Sequence, residues 1–393
     1  MKKYLSLLLL SIILITVAFG CNGAGEIERT DYNVNEKETI TIGVIVPTSG
    51  DNKNIGDDIL EGLNFAKSTA PAVNIDKRYE LNLSVYDTNG DVNAAAAKLI
   101  EQKVAAVVCY GGNAQKTDEI LKSFETVNTP LLFVDNNSKN IASTATAFSM
   151  SVPASYQASV ASKFLKDEGY NNVAVVYEDN EYYKEFSASF KSAFGSATEY
   201  PYADFNASSI TKNFDCAYVI GNNKFAVDVT KQLKSVSAGF SVMMPEMFDK
   251  NAMASDTFNG CYFLSKFETD NDNHYATDFI SFYTQQKGVS SSEITSAIAY
   301  GYDAYIMVYG SLAHFNPMGS DPLAAVKNGS SEEQTSVVVT TSQMVDILKK
   351  EPNNSTIIDT HMLFDENGSI KPAYVFVDNV DSGVVSMHKK FVY

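Results

Sequence analysis

The run Thr39-Ile40-Thr41-Ile42-Gly43-Val44-Ile45-Val46-Pro47-Thr48-Ser49-Gly50 is β-branched and apolar up to Val46, then breaks at a turn sequence. Ile59, Leu60, Leu63 and Ala66 recur at helical spacing just afterwards, so a buried strand hands over to an amphipathic helix. The pattern repeats downstream. Leu81, Leu83 and Val85 alternate as in a half-buried strand. A helix is expected over 93–102, a buried strand over 104–109, a helix over 115–126 and a strand over 130–134. After Pro153 the series restarts: helix 155–168, strand 173–177, helix 181–194, strand 216–220, helix 224–236, strand 240–244. Segment 296–314 reads as a core helix, and the chain closes on two strands around Asn379-Val380-Asp381-Ser382-Gly383. Short continuous apolar strands between amphipathic helices predict parallel sheets covered on both faces. Two such series, breaking near 150–155, predict two doubly wound α/β lobes rather than one.

A chain of 393 residues is too long for one ordinary core and suits two lobes. Its 30 Lys+Arg stand against 47 Asp+Glu, a formal charge of −17, which gives no electrostatic footprint for nucleic acid. Hydrophobic residues at 45% and charged residues at 20% are the balance of a folded protein. Trp is absent while Tyr (22) and Phe (23) are plentiful, so an aromatic ligand wall must be built from those two.

The first residues read as an address. Lys2 and Lys3 precede an apolar stretch from Leu5 to Phe19, too short for a stable membrane span, so 1–20 is expected to be a secretory signal peptide. Ala18-Phe19-Gly20-Cys21 resembles a bacterial lipobox, which predicts lipidation of Cys21. Loss of Lys2 and Lys3 leaves 28 basic against 47 acidic residues, a mature charge of −19. Residues 21–38 lack periodicity and are expected to form a polar tether. With Cys21 lipidated, Cys109, Cys216 and Cys261 remain, and buried free thiols are the expected state.

Open α/β sheets bind ligands at the carboxyl ends of their strands, which directs attention to loops 47–56, 110–114, 135–138, 178–182, 221–224 and 245–249. Gly111-Gly112-Asn113 follows a strand and opens a helix. Its amides could hold an anion, or the glycines could simply make a tight turn. Glu246 stands at a strand end, where it could pair with a cation or face solvent. Tyr182 and Tyr183 could line a cleft or pack locally. Catalytic signatures are missing: GxSxG, HExxH, CxxC, GxxxxGK[ST] and GxGxxG do not occur, and His274, His314, His361 and His388 are isolated. The run Asp270-Asn271-Asp272-Asn273 lacks the later Glu of a calcium loop and reads as a solvated linker. These features predict a binding protein without enzymatic chemistry, cofactor or metal.

Residues 40–50 with Gly56 and Glu61-Gly62 resemble the opening of the branched-chain amino-acid-binding protein family, the type I periplasmic binding proteins that serve ABC importers. Further matches follow in order: Leu81–Asp87, Thr129-Pro130-Leu131-Leu132, Val173–Tyr182, Ala299-Tyr300-Gly301-Tyr302-Asp303-Ala304 and Phe364-Asp365-Glu366-Asn367-Gly368. The resemblance implies discontinuous lobes joined by a three-segment hinge, 39–153 with 277–355 and 154–276 with 356–393. In that family, Ser and backbone amides of the first lobe hold the ligand carboxylate, which points to Gly112, Asn113, Asn136 and Asn137. The second lobe supplies a Tyr and an ammonium-binding Glu, matching Tyr182 and Glu246, while Ile55 and Asn222 would touch the ligand side chain. The usual Ser-rich loop is here Gly-Gly-Asn, and Asp135-Asn136-Asn137 replaces small residues, so the pocket is more polar than a leucine pocket.

The expected protein is therefore a monomeric extracytoplasmic lipoprotein that captures a small polar, zwitterionic, amino-acid-like solute for an ABC importer permease. The alternative is the same fold serving as an envelope sensor or protein partner without transport. Lipidation at Cys21 is tested by Cys21→Ser, which should abolish partitioning into detergent while leaving the fold intact. A variant that stays with the membrane would place the anchor elsewhere.

Overall fold

The computed structural model describes residues 28–270, 272–316, 336–351, 356–359 and 362–392. The leader 1–20, Cys21 and His361 lie outside the described residues. The first half runs β1 (Thr39–Val46), α1 (Lys53–Thr69), β2 (Ala72–Asn74), β3 (Arg78–Asp87), α2 (Val92–Glu101), β4 (Val107–Cys109), α3 (Ala114–Ser123), β5 (Leu131–Phe133), α4 (Asn140–Ser143) and β6 (Ala147–Ser149). These strands form a six-stranded sheet in the order β2-β3-β1-β4-β5-β6. The second series is α5 (Ala154–Asp167), β7 (Val173–Tyr177), α6 (Glu181–Phe194), β8 (Thr198–Pro201), α7 (Ala207–Asn213), β9 (Cys216–Ile220), α8 (Asn223–Val236), β10 (Ser241–Glu246) and β11 (Cys261–Ser265). Helices α9 (His274–Lys287), α10 (Ser296–Ala313) and α11 (Thr341–Lys350) follow, then β12 (Tyr374–Asp381) and β13 (Val384–Val392). The second sheet has seven strands in the order β13-β12-β11-β10-β9-β7-β8.

Both sheets are parallel at heart, as the continuous apolar strands predict, and mixed at the edges. β2 runs antiparallel to β3, and β12 and β13 are antiparallel additions to β11. Alternation along each strand feeds two cores. Ile42 and Val44 pack on the side of α1 and α10, while Ile45 joins Val107, Cys109 and Phe133 on the other face. Val173 and Val175 likewise pack with Phe186 and Phe190, and Ala174 and Val176 with Val229 and Leu233. Cys109, Cys216 and Cys261 are buried free thiols inside these layers.

Helices α9 and α10 return to the first sheet, where Phe279, Tyr283, Ile298 and Tyr305 join the core around Ile59, Leu63 and Phe65. The α1–α10 crossing depends on two glycines. A Cβ on Gly62 would lie 2.0 Å from the Ile298 carbonyl oxygen, and one on Gly301 would lie 2.1 Å from that of Ile59. The backbones touch, so neither position tolerates a side chain.

Three segments cross between the sheets: the one after β6, the one after β11 and the one before β12. Lys266, fully buried in the second, donates to Asp359 Oδ2 at 2.9 Å and to the Tyr374 carbonyl at 2.7 Å. Asp303 of α10 accepts from the Ile357 and Ile358 amides at 2.8 Å each, fixing the third segment against the first lobe.

Three expectations need correction. Residues 356–370 were expected with the second sheet, yet Ile357, Ile358, Phe364 and Ile370 pack in the first lobe's core: Asp303 captures the Ile357 and Ile358 amides, and the Phe364 ring lies tilted against Phe148. The tether expected through residue 38 is docked from Thr30 onward. Val34 is buried, Asn35 bonds Val337 and Val339, and Asp31 accepts from Thr341 and Ser342. Asn273, expected in a solvated linker, is buried; it caps α9 and holds the Thr356 and Ile357 carbonyls.

Lys266→Met would leave the Asp359 carboxylate buried without its cation, a loss of roughly 3–5 kcal/mol. Urea unfolding checks this. A loss below about 1 kcal/mol would show that the pair does not hold the crossing segments together.

Candidate functional site

The loops that follow β4, β5, β7, β9 and β10 converge between the sheets and enclose about 370 Å³ of atom-free space, open at its mouth. That space includes the open mouth, and only about 30 Å³ of it is wide enough for a water-sized sphere, far below an ordinary small-ligand pocket. The first lobe contributes Tyr110 and residues 135–137; the second contributes Tyr182, Tyr183, Phe186, residues 221–223, Glu246 and Phe248. Ser151 and Gln157 line it from the first crossing segment and the start of α5. Lys, Arg and His are absent from this lining.

Glu246 ends β10 at 4% exposure. Its Oε2 accepts from the Val152 amide at 2.9 Å and its Oε1 from the Tyr300 hydroxyl at 2.5 Å. The Glu246 amide in turn donates to Gln157 Oε1, and Gln157 Nε2 donates to the Val152 carbonyl. Burial pushes the carboxyl up to about 7; the Tyr300 and Val152 donors and the Lys266 charge restrain the rise. No cation touches it among the described residues, and with one donor on each oxygen the carboxylate has acceptor capacity left.

Across the cavity, Asp135 follows β5 and is 5% exposed. The Gly111 amide donates to its Oδ1 at 3.4 Å, the Gly112 amide to its Oδ2 at 3.3 Å, and the Asn137 side chain also donates to Oδ2. Gly112 has φ +71°, the left-handed backbone that turns successive amides toward one anion. Burial pushes Asp135 up to about 6 despite these donors. Glu178, at the end of β7, also rises with burial and accepts from the Asn222 amide and side chain.

The lobes touch across the cleft. The Tyr183 hydroxyl donates to Asn137 Oδ1, Asn54 donates to Asp249, and the Tyr110 ring meets Phe248 edge-on at 6.1 Å.

Of the residues singled out by sequence, Asn136, Asn137, Tyr182, Asn222 and Glu246 line one cavity together. The other three do not. Gly112 stands behind Asp135, and Asn113 is an exposed N-cap that accepts from the Lys116 amide. Ile55 is buried in α1 and borders a separate, more open hollow with Asn52, Lys224, Met247 and Asp249. Asn222 is also a helix cap, accepting from the Phe225 amide. Asparagine is favoured at such junctions for capping alone, which is why spacing could not separate a ligand contact from a cap.

Sequence reasoning passed over Asp135, Tyr110, Gln157, Phe248 and Tyr300. Asp135 carried the same signal that flagged Glu246, an acid directly after an apolar strand. Tyr300 sits mid-helix on α10 and gave no signal, because only the tertiary fold brings it to Glu246.

Glu246 and Asp135 titrate higher in the folded chain than in the unfolded one. The folded chain therefore holds more protons between about pH 4 and 7, and stability falls as pH rises through that window. The melting temperature should be higher near pH 5 than near pH 7.5, and Glu246→Gln should flatten the slope. A wild-type melting temperature that is level or rising across this range would contradict the assignment.

The structure is similar to several solved proteins. A leucine-binding protein from Thermotoga maritima has TM-score 0.68 and 18% identity, covering 90% of this chain and 99% of that one. A branched-chain amino acid transporter substrate-binding protein from Streptococcus pneumoniae, in complex with isoleucine, has TM-score 0.68 and 16% identity, with coverage of 90% and 99%. A solute-binding protein of an ABC transporter from R. palustris, in complex with benzoate, has TM-score 0.69 and 13% identity, with coverage of 90% and 96%. No curated protein sequence matches the chain. Residues 39–315 match the family described as periplasmic binding protein, and with two α/β lobes closing on an inter-sheet cavity the chain belongs to that family.

Proposed function

We propose that the protein is an extracytoplasmic solute receptor for an ABC importer, anchored by lipid at Cys21, that closes two lobes on a small polar solute carrying a protonated nitrogen. The lobes of this reading are 39–149 with the α9–α11 region, and α5 to β11 with β12 and β13. The observation that carries it is the buried Glu246 carboxylate at the edge of an inter-lobe cavity without basic lining. A cationic nitrogen entering there gains a charge-assisted hydrogen bond in a water-poor site. A solute recognised only through a carboxylate, as an aromatic acid would be, finds no basic side chain among the described lining residues. Asn136, Asn137, Tyr182 and Asn222 supply the remaining polar contacts in this reading. The cavity is too narrow as it stands to admit such a solute, so binding requires the lobes to part at the three crossing segments and close again.

Calorimetry with leucine, ornithine, putrescine and choline finds the solute class, and the tightest of these is then titrated into Glu246→Gln. Losing one partner of a desolvated charged pair costs roughly 2–5 kcal/mol, about 30- to several-thousand-fold in affinity. Binding by the variant within about twofold of wild type would remove Glu246 from the site.

A further inference from the structure

We infer that the cleft takes a small organic cation that carries no carboxylate, because the protein's own Asp135 already occupies the amide nest that would receive one. This rests on the receptor reading above and narrows its solute class. The nest is built from the Gly111 and Gly112 amides and the Asn137 side chain, and all three donate to Asp135. Asp135 reaches them from the next strand end, so its carboxylate stands where two converging amides would otherwise face the cavity. A nest of this size satisfies one carboxylate. A second one, brought by the solute, would lie against the first in a site that excludes water, where like charges repel strongly.

Nothing in the lining offsets a second anion. Glu246 lies across the cavity and Glu178 behind Asn222, and no basic side chain lines the space among the described residues. The walls also suit a cation. Tyr110 is 1% exposed and borders the cavity. Its ring and that of Phe248, with the Tyr182–Tyr183 pair at 5.2 Å, give electron-rich aromatic surface beside the two carboxylates. An ammonium or quaternary ammonium group complements these surfaces once the lobes part; an α-amino acid brings the group that the site is already holding.

The test uses matched pairs that differ by the carboxylate: 3-methylbutylamine against leucine, putrescine against ornithine, and choline against glycine betaine. Calorimetry on the full-length mature protein should show the carboxylate-free member binding at least about tenfold tighter in the pair that contains the tightest ligand. If the carboxylated member binds equally or better, the inference falls while the receptor reading stands. If none of the six binds at millimolar concentration, the receptor reading falls and takes the inference with it. Asp135→Ser empties the nest and should shift the ratio toward the carboxylated member by about tenfold or more. Asp135→Asn, which keeps one acceptor, should shift it less in the same direction and serves if the serine variant does not fold. An unchanged ratio in a folded variant would put the nest out of the solute's reach and overturn the inference.

Discussion

The Glu246 carboxylate ties together parts of the chain that are far apart in sequence and belong to different layers. Through the Val152 amide it fastens the first crossing segment to the end of β10, and through the Tyr300 hydroxyl it reaches α10, which packs on the first sheet. Gln157 closes a ring of hydrogen bonds by accepting from the Glu246 amide and donating to the Val152 carbonyl. The ring keeps second-lobe groups in fixed relation, whereas the Tyr300 bond spans to the other lobe. That hydroxyl is one of several contacts between the lobes, beside Tyr183–Asn137 and Asn54–Asp249. A carboxylate in this position borders both the first crossing segment and the cavity.

The fold solves the cost of burying acids in two ways. Asp359 is given a cation, Lys266, in a place where nothing else is required of it. Asp303, Asp135 and Glu246 are given amides or hydroxyls instead, which satisfy hydrogen-bonding capacity without cancelling charge. Burial drives all three upward, Asp303 to about 8. The first strategy is structural. The second leaves each carboxyl without a paired cation, and two of its three instances border the cleft.

Much of the architecture was legible because strands buried on both faces are apolar throughout, as in Val173–Tyr177 and Cys216–Ile220, and their helices keep helical spacing. The position of the cleft was legible too, since strand ends can be counted. Contacts made by the return of distant chain were not. Residues 356–370 carry no periodicity that announces the first lobe; their place follows from Asp303 capturing two amides. Asn35 and Asn273 look like solvent-facing polar residues until their side chains are seen holding backbone groups of other segments. The amide turn at Gly111-Gly112 was read as able to hold an anion, and it does, but the anion is internal. One residue, Asp135, changes a general feature of the site into a particular one, and its place after an apolar strand marks the cleft without showing that it fills the amide turn.

The Gly62–Gly301 contact sets an order on how the molecule can be made. Helix α1 emerges from the ribosome early, but the surface it was shaped to meet is some 240 residues behind it. Until α10 has been synthesised, the apolar stripe of Ile59, Leu63 and Phe65 has no native partner. The N-terminal sheet cannot complete its core on its own, and the second sheet also waits, because its strands β12 and β13 come last in the chain. Until α10 arrives, the leading half of the chain is therefore the part least able to become compact.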